Sequence, residues 1–312
     1  MTLRPSSYSP PRWGRSPLER ETHLAASALW RDPAYEYDKE EAAVQPQFVP
    51  EFRLFELPLP FVTPPDIILP AFDPYGFPHG EAYTPLLKAR TPLMSTRAVI
   101  AGLKHGRLHQ ALSMNEFRIL RKLAFFPYVV DFREQYGAYN RQAFWAAKAR
   151  GTRMLRMHLT TIDVIVSYVL PADFQIRYHA ISVKSPEYVP TEKDLLRERK
   201  ERALMAARGW TWELMRGDVV STLEFTNLRL LFHQARYQNL PELYAPAGEF
   251  AKVVRGSSNR GSLNAVMLRV ARDTGISLDD AYARFSAAVA YGFLRVDHNY
   301  PLSPEVRLRL IR

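Results

Sequence analysis

Two periodicities alternate along the middle of this chain. From Ser113 the spacing is helical: Phe117, Leu120 and Ala124 form one stripe, Ile119, Leu123 and Phe126 lie beside it, and Pro127 stops the helix. Tyr128-Val129-Val130-Asp131-Phe132 then reads as a short strand, and residues 141–149 as a helix. Residues 159–170 and 174–184 are rich in β-branched and aromatic side chains and predict two strands joined by Pro171-Ala172-Asp173. Thr191 can cap the next helix, with Asp194 three residues on and Gly209 at its end, and 210–215 predicts a further strand. Helix, strands, helix and strand in that order suit an α/β fold, a mixed sheet with flanking helices.

From about residue 225 the texture changes. Residues 262–274 carry Val266, Met267 and Val270 at helical spacing, and Asp273-Thr274-Gly275-Ile276-Ser277 is a tight turn. Ser277 caps a second helix to about Ala290, and 292–296 and 306–310 read as two strands flanking a loop. Two helices, a turn and a hairpin predict a winged helix. Residues 1 to about 95 have neither period and hold most of the chain's 24 prolines, which remove backbone donors and disfavour helix. Phe48, Phe52, Leu54, Phe55, Phe61 and Ile67-Ile68-Leu69 are too apolar for a solvated linker, so an arm packed on its own core or on a partner is expected. Its first twenty residues, with Arg4, Arg12, Arg15 and Arg20 among Ser and Pro, are expected to be disordered. The predicted organisation is an arm over 1–95, an α/β domain over 96–224 and a winged-helix domain over 225–312.

Composition narrows the class. Length 312 allows about two domains and a tail. No apolar run nears the ~20 residues that span a bilayer. The first residues also lack the apolar core of a secretory signal, so a chain retained in the cytoplasm, with no membrane partner, is expected. Cysteine is absent, which excludes a disulfide framework and any thiolate metal site. A net charge of +10 favours a polyanionic partner, of which nucleic acid is the commonest.

Candidate chemistry is sparse and lies in the sheet. Asp163 interrupts the apolar run Thr161-Ile162-Asp163-Val164-Ile165-Val166, and Lys184 ends Tyr178-His179-Ala180-Ile181-Ser182-Val183-Lys184. If the hairpin turns near Ala172, Asp163 and Ser182 to Lys184 come to one open end, and the period of two puts Ser182 and Lys184 on one face. An acid in one strand and an x-Lys pair in the next is the layout of a restriction-endonuclease type of metal-dependent nuclease (PD-(D/E)xK). The pattern alone leaves a buried structural Asp–Lys pair equally open. Glu116 opens a helix as the fourth residue of Ser113-Met114-Asn115-Glu116, where spacing alone favours a capping box over a metal ligand. Glu134 is a competing acid, and Glu201, on the helix after Lys184, faces either the site or solvent, with surface charge the simpler reading.

Five blocks in order resemble a known family. Lys104-His105-Gly106-Arg107 followed by Leu112-Ser113-Met114-Asn115-Glu116 looks like the start of the TnsA endonuclease, a subunit of heteromeric bacterial transposases. Val129-Val130-Asp131-Phe132-Arg133-Glu134-Gln135-Tyr136 resembles its Asp-Ile-Arg-Glu-Gln-Phe block, and Thr160-Thr161-Ile162-Asp163 its Ser/Thr-Thr-Asp-Phe-Leu strand. Ala180-Ile181-Ser182-Val183-Lys184 resembles its Ala-Ile-Gln-Val-Lys strand, and Arg199-Lys200-Glu201-Arg202 with Gly209-Trp210-Thr211-Trp212 its Glu-Arg-Arg helix and Ile-Pro-Trp strand. The likeness covers about residues 100–216. It implies a restriction-endonuclease-like core with a C-terminal winged helix, which cuts the 5′ ends of a transposon. A TnsB-like transposase would handle the 3′ ends and a TnsC-like ATPase would dock on the C-terminal part. The substrate would be double-stranded DNA at the transposon ends, in a bacterial, nucleoid-associated setting. Carried over by position, Glu116 and Asp163 would ligate Mg²⁺ (or Mn²⁺), Lys184 would orient water or stabilise the phosphorane, and Glu201 would match a further acidic position. Ser182 stands where the family has Gln, as a shorter neutral oxygen ligand, and an extra Ile precedes Asp163.

Two other readings share these residues. One is a stand-alone restriction-type or repair nuclease. The other is a catalytically degenerate nuclease fold acting as an adaptor, which the Ser182 departure keeps open. The helix from Ser277 bears on partners. It carries Asp279, Asp280 and a single Arg284, and then mostly Ala and Val, which offer nothing to base edges. The C-terminal block is therefore expected to dock a protein rather than to read DNA.

Overall fold

The computed structural model describes residues 52–87, 98–152, 158–256 and 261–311. The expected disorder of the first twenty residues falls outside them. The fold is mixed α/β, with a mixed sheet and seven α-helices among the described residues. A short hairpin, β1 (Ala98–Ala101) and β2 (Leu108–Ala111), leads into helix α1 (Met114–Ala124). Strand β3 (Val129–Tyr139), helix α2 (Arg141–Ala149), strands β4 (Leu159–Tyr168) and β5 (Arg177–Lys184), helix α3 (Glu192–Ala206) and strand β6 (Thr211–Arg216) follow. The sheet order is β3-β4-β5-β6. The first two pairings are antiparallel, and β6 lies parallel to β5 after the α3 crossover.

The local signals act as the pattern predicts in most of this region. Ser113 accepts the Glu116 N–H and starts α1. Thr191 and Asp194 form a reciprocal capping box on α3, and Gly209, at φ 68°, ends the turn after it. Strand β3 runs seven residues beyond the five-residue strand that its apolar core suggests. Its continuation, Arg133-Glu134-Gln135, is polar in sequence, and each of those side chains finds a buried partner.

Those partners come from the hairpin, the arm and α1. Arg107 grips both oxygens of Glu134 at 2.7 Å, and His109 Nδ1 and the Gln110 N–H complete the shell. Arg133 reaches Asp73 at 2.6 Å, and Tyr136 donates to the same carboxylate oxygen. The described part of the arm is coil with two 3-10 turns, and it packs on this chain's own core. Leu54 is fully buried, Phe61 stacks on Tyr128 at 3.9 Å, and Leu54 N donates to Glu213. The arm also reaches the C-terminal helices through Thr63, whose N–H meets Tyr291 O and whose carbonyl accepts from Tyr244.

The rest of the chain is helical: α4 (Thr222–Ala235), α5 (Tyr244–Gly256), α6 (Leu263–Thr274) and α7 (Leu278–Ala290). The first two were not anticipated, although Ser221 caps α4 in the ordinary way. The two strands expected over 292–296 and 306–310 do not form. Only a Val296–Leu310 bridge and a few backbone bonds pair those segments. Helix α7 is buried along its apolar length, from Ala281 to Ala290, and packs against α4, α5 and α6. One apolar cluster joins the arm, α1, one face of the sheet and these four helices. A second, with Tyr136, Ile165, Tyr178 and Trp210, fills the space under α2 and α3.

Candidate active site

The β4–β5 register runs from Tyr168↔Arg177 to Val164↔Ile181, and its next step sets Asp163 opposite Ser182. On the other side, Glu134↔Val164 and Tyr136↔Ile162 bracket a Gln135–Asp163 pair. Asp163 thus sits in the middle of a row across three strands. Its Oδ2 accepts the Val183 N–H at 2.7 Å, which ties the carboxylate to the segment between Ser182 and Lys184. Ser182 is buried, and Lys184 is half-buried with its Nζ 5.2 Å from the Tyr188 ring centre. No ion pair joins Lys184 to Asp163 among the described residues, so the structural Asp–Lys pair is not formed.

Glu116 meets this row from α1. Its Oε2 accepts from the Leu112 N–H at 2.9 Å and from Gln135 Nε2 at 3.2 Å, and Ser113 Oγ lies 3.3 Å from Oε1. The carboxylate reaches Leu112 N rather than the Ser113 N–H, so the expected capping box is only half made. Burial, and then the charge of Asp163, push Glu116 up to about 7. Burial also raises Asp163, against the Val183 N–H bond and Lys184, with Glu201 adding to the rise. Asp163 on β4 therefore stands close enough to Glu116 on α1 to disfavour its charge.

Glu201 is 1% exposed, which replaces the expectation of a surface charge. Arg197 Nε donates to it at 2.7 Å and Trp212 Nε1 at 3.4 Å. It influences Asp163 but already has partners. Glu134 is excluded as a competing acid by its Arg107 and His109 shell. Burial alone would raise it, but the guanidinium and imidazole outweigh that and hold it at about 2. Lys104 belongs to the frame too, bonding the Phe126 and Val129 carbonyls, with burial pushing it down to about 7.

Gln135 is the site residue that pattern reading does not single out. It lies in a polar interruption of an apolar strand, which is the signal that marks Asp163 as well. Glu116, Asp163, Ser182 and Gln135 make a donor set of oxygens and an amide, the chemistry a hard divalent cation prefers. Among the described residues no three acids or histidines stand together as a metal cage. A groove of about 990 Å³ lies along β6 and includes Arg53, Lys122, Arg202, Trp212 and Arg216 but none of these carboxylates. No family model and no curated protein matches the chain.

Proposed function

We propose that this chain is a Mg²⁺-dependent DNA endonuclease subunit of a transposase, which cuts the 5′ ends of a transposon. The observation that carries it is the row across β3, β4 and β5: Asp163 opposite Ser182, bonded to Val183 N, with Glu116 brought beside it from α1 and Lys184 two residues beyond Ser182. A capped helix bearing an acid, a hairpin bearing Asp and x-Lys, and a parallel crossover strand are the order of a restriction-endonuclease-like core. Helices α6 and α7 followed by the loosely paired 292–311 are the order of a winged helix. The resemblance of residues 100–216 to the TnsA family turns nuclease into transposase nuclease and supplies the TnsB-like and TnsC-like partners. The charge of +10 suits a DNA substrate. No described helix is long and apolar enough to cross a membrane.

The residues fit a hard cation. Burial and the charge of Asp163 raise Glu116, and burial raises Asp163, so a cation between the two carboxylates would offset what disfavours their charge. Glu116 and Asp163 would hold Mg²⁺, with the Ser182 hydroxyl as a short neutral oxygen near them. Bound there, the cation supplies charge neutralisation at phosphorus and a water of lowered pKa. The chain's own part is positional. Val183 N–H fixes one Asp163 oxygen, so the other is left to face the site. Lys184 presents an ammonium to a phosphate oxygen, where charge develops as the bond to the leaving oxygen breaks. The water oxygen would bond to phosphorus as the bond from phosphorus to the 3′ oxygen breaks, the water's proton passing to solvent and the departing 3′ oxygen taking a proton from solvent.

Titrating the full chain with Mn²⁺ by calorimetry, against Asp163→Ala, tests the site. Saturable binding lost in the variant supports the reading, and identical heats for both proteins refute it. Ser182, and a Glu201 already held by Arg197 and Trp212, favour one alternative, a nuclease fold kept as an adaptor, which binds no cation in the same titration. Strong cutting of naked duplex by the chain alone would point instead to a free-standing nuclease.

A further inference from the structure

Among the described residues only Gln135 and Phe174 have a positive φ without being glycine. Phe174 lies in the exposed β4–β5 turn. Gln135 lies mid-strand in β3, 2% exposed, with φ 50°. A left-handed backbone is unfavourable for a side chain branching into a buried strand, and it persists only where surroundings over-determine it. The ladder is intact on both sides, from Glu134↔Val164 to Tyr136↔Ile162, so no residue has been inserted to force the turn. The distortion is confined to the one position that faces Asp163.

Two bonds exploit it. Leu86 N–H donates to the Gln135 carbonyl at 3.0 Å, and Gln135 Nε2 donates to Glu116 Oε2 at 3.2 Å. The other donors to Glu116 are Leu112 N and Ser113 Oγ, both at the start of its own helix. They hold the carboxylate to α1. Gln135 is the donor that comes from the sheet, among the described residues. We infer that Gln135 is a positioning residue which draws the Glu116 carboxylate to Asp163, so that acids on α1 and β4 serve as one cation site.

This rests on the reading of the pair as a divalent-cation site, and the experiment separates the two. Free Mn²⁺ is followed by its electron paramagnetic resonance signal during titration of the full chain, of Asp163→Ala, of Gln135→Asn and of Gln135→Gly. Asparagine tolerates a left-handed backbone and keeps an amide, but its reach is one methylene shorter. Glycine accepts the backbone and has no side chain. Both variants should weaken Mn²⁺ binding about 10- to 100-fold, as loss of a partner to a ligating carboxylate does. A merely structural glutamine would move the melting temperature and leave the affinity of the folded protein alone. Wild-type affinity in either folded variant overturns the inference, as does failure of both to fold. If Asp163→Ala binds Mn²⁺ as the wild type does, the cation reading itself falls.

Discussion

At the residue scale, charge in the interior separates the acids of the candidate site from the paired ones. Glu134 has its counter-charge built in, and Glu116 does not. Glu116→Gln at pH 8 should therefore change stability by under about 1 kcal/mol, since the half-cap at Ser113 is kept and a strained charge is removed. Mn²⁺ binding should collapse in the same protein, and intact binding would return Glu116 to a capping role. Lys184→Ala should slow cleavage about 10²–10³-fold in the reconstituted complex, the usual loss for one transition-state contact. Near-normal rates would make Lys184 structural. Glu134 controls acid stability instead. Its folded pKa, about 2, lies below its ordinary 4.5. It therefore contributes fully above pH 4.5, on the order of 3 kcal/mol, and loses this as pH falls towards 2. Urea melts at pH 5 and pH 3 should differ in the wild type. In Glu134→Gln, if it folds, the difference should shrink.

At the element scale, the arm is held by close backbone approach as much as by its phenyl rings. Gly292 has φ 83°, and a Cβ there would sit 2.0 Å from Phe61 O. Gly292→Ala should cost at least about 1–3 kcal/mol. It should also open the arm near Phe61 to limited proteolysis before the sheet unfolds. Unchanged cleavage and melting would show that the strap is not held there. The same scale explains α7. Its alanines lie against α4, α5 and α6, so the absence of base-reading side chains reflects burial and offers no docking face.

At the scale of the whole molecule, one apolar cluster runs from Leu54 to Leu308. Phe117 of α1 meets Phe225 of α4 at 5.3 Å, and Arg121 lies over the Phe232 ring. Cutting the chain at residue 224 would expose this seam. The truncated protein should bind a hydrophobic dye and lose cooperative melting. A sharp melt in residues 1–224 would mean that the part holding the candidate site folds alone. Partner docking is accordingly better tested with surface substitutions in the intact chain, at an exposed position such as Arg272.

The sequence by itself determined the elements whose signals are local. Ser113, Thr191 with Asp194, Gly209 and Pro127 set helix limits through caps and backbone geometry that act within a few residues. The apolar runs set β4 and β5, and the Ala172 turn brought Asp163 to Ser182 because a hairpin register follows from its turn. Only tertiary structure decided what each buried charge does. Glu134, Glu116 and Glu201 are alike in sequence. One is caged by Arg107, one is drawn towards Asp163 by Gln135, and one is held by Arg197 and Trp212. Gln135 carries no local signal of its left-handed backbone, because Leu86 and Glu116, far off in the chain, hold it there. The failure of the C-terminal hairpin has the same kind of cause. Short segments such as 292–296 pair only as far as the helices beneath them allow, and those packing forces are absent from any local pattern.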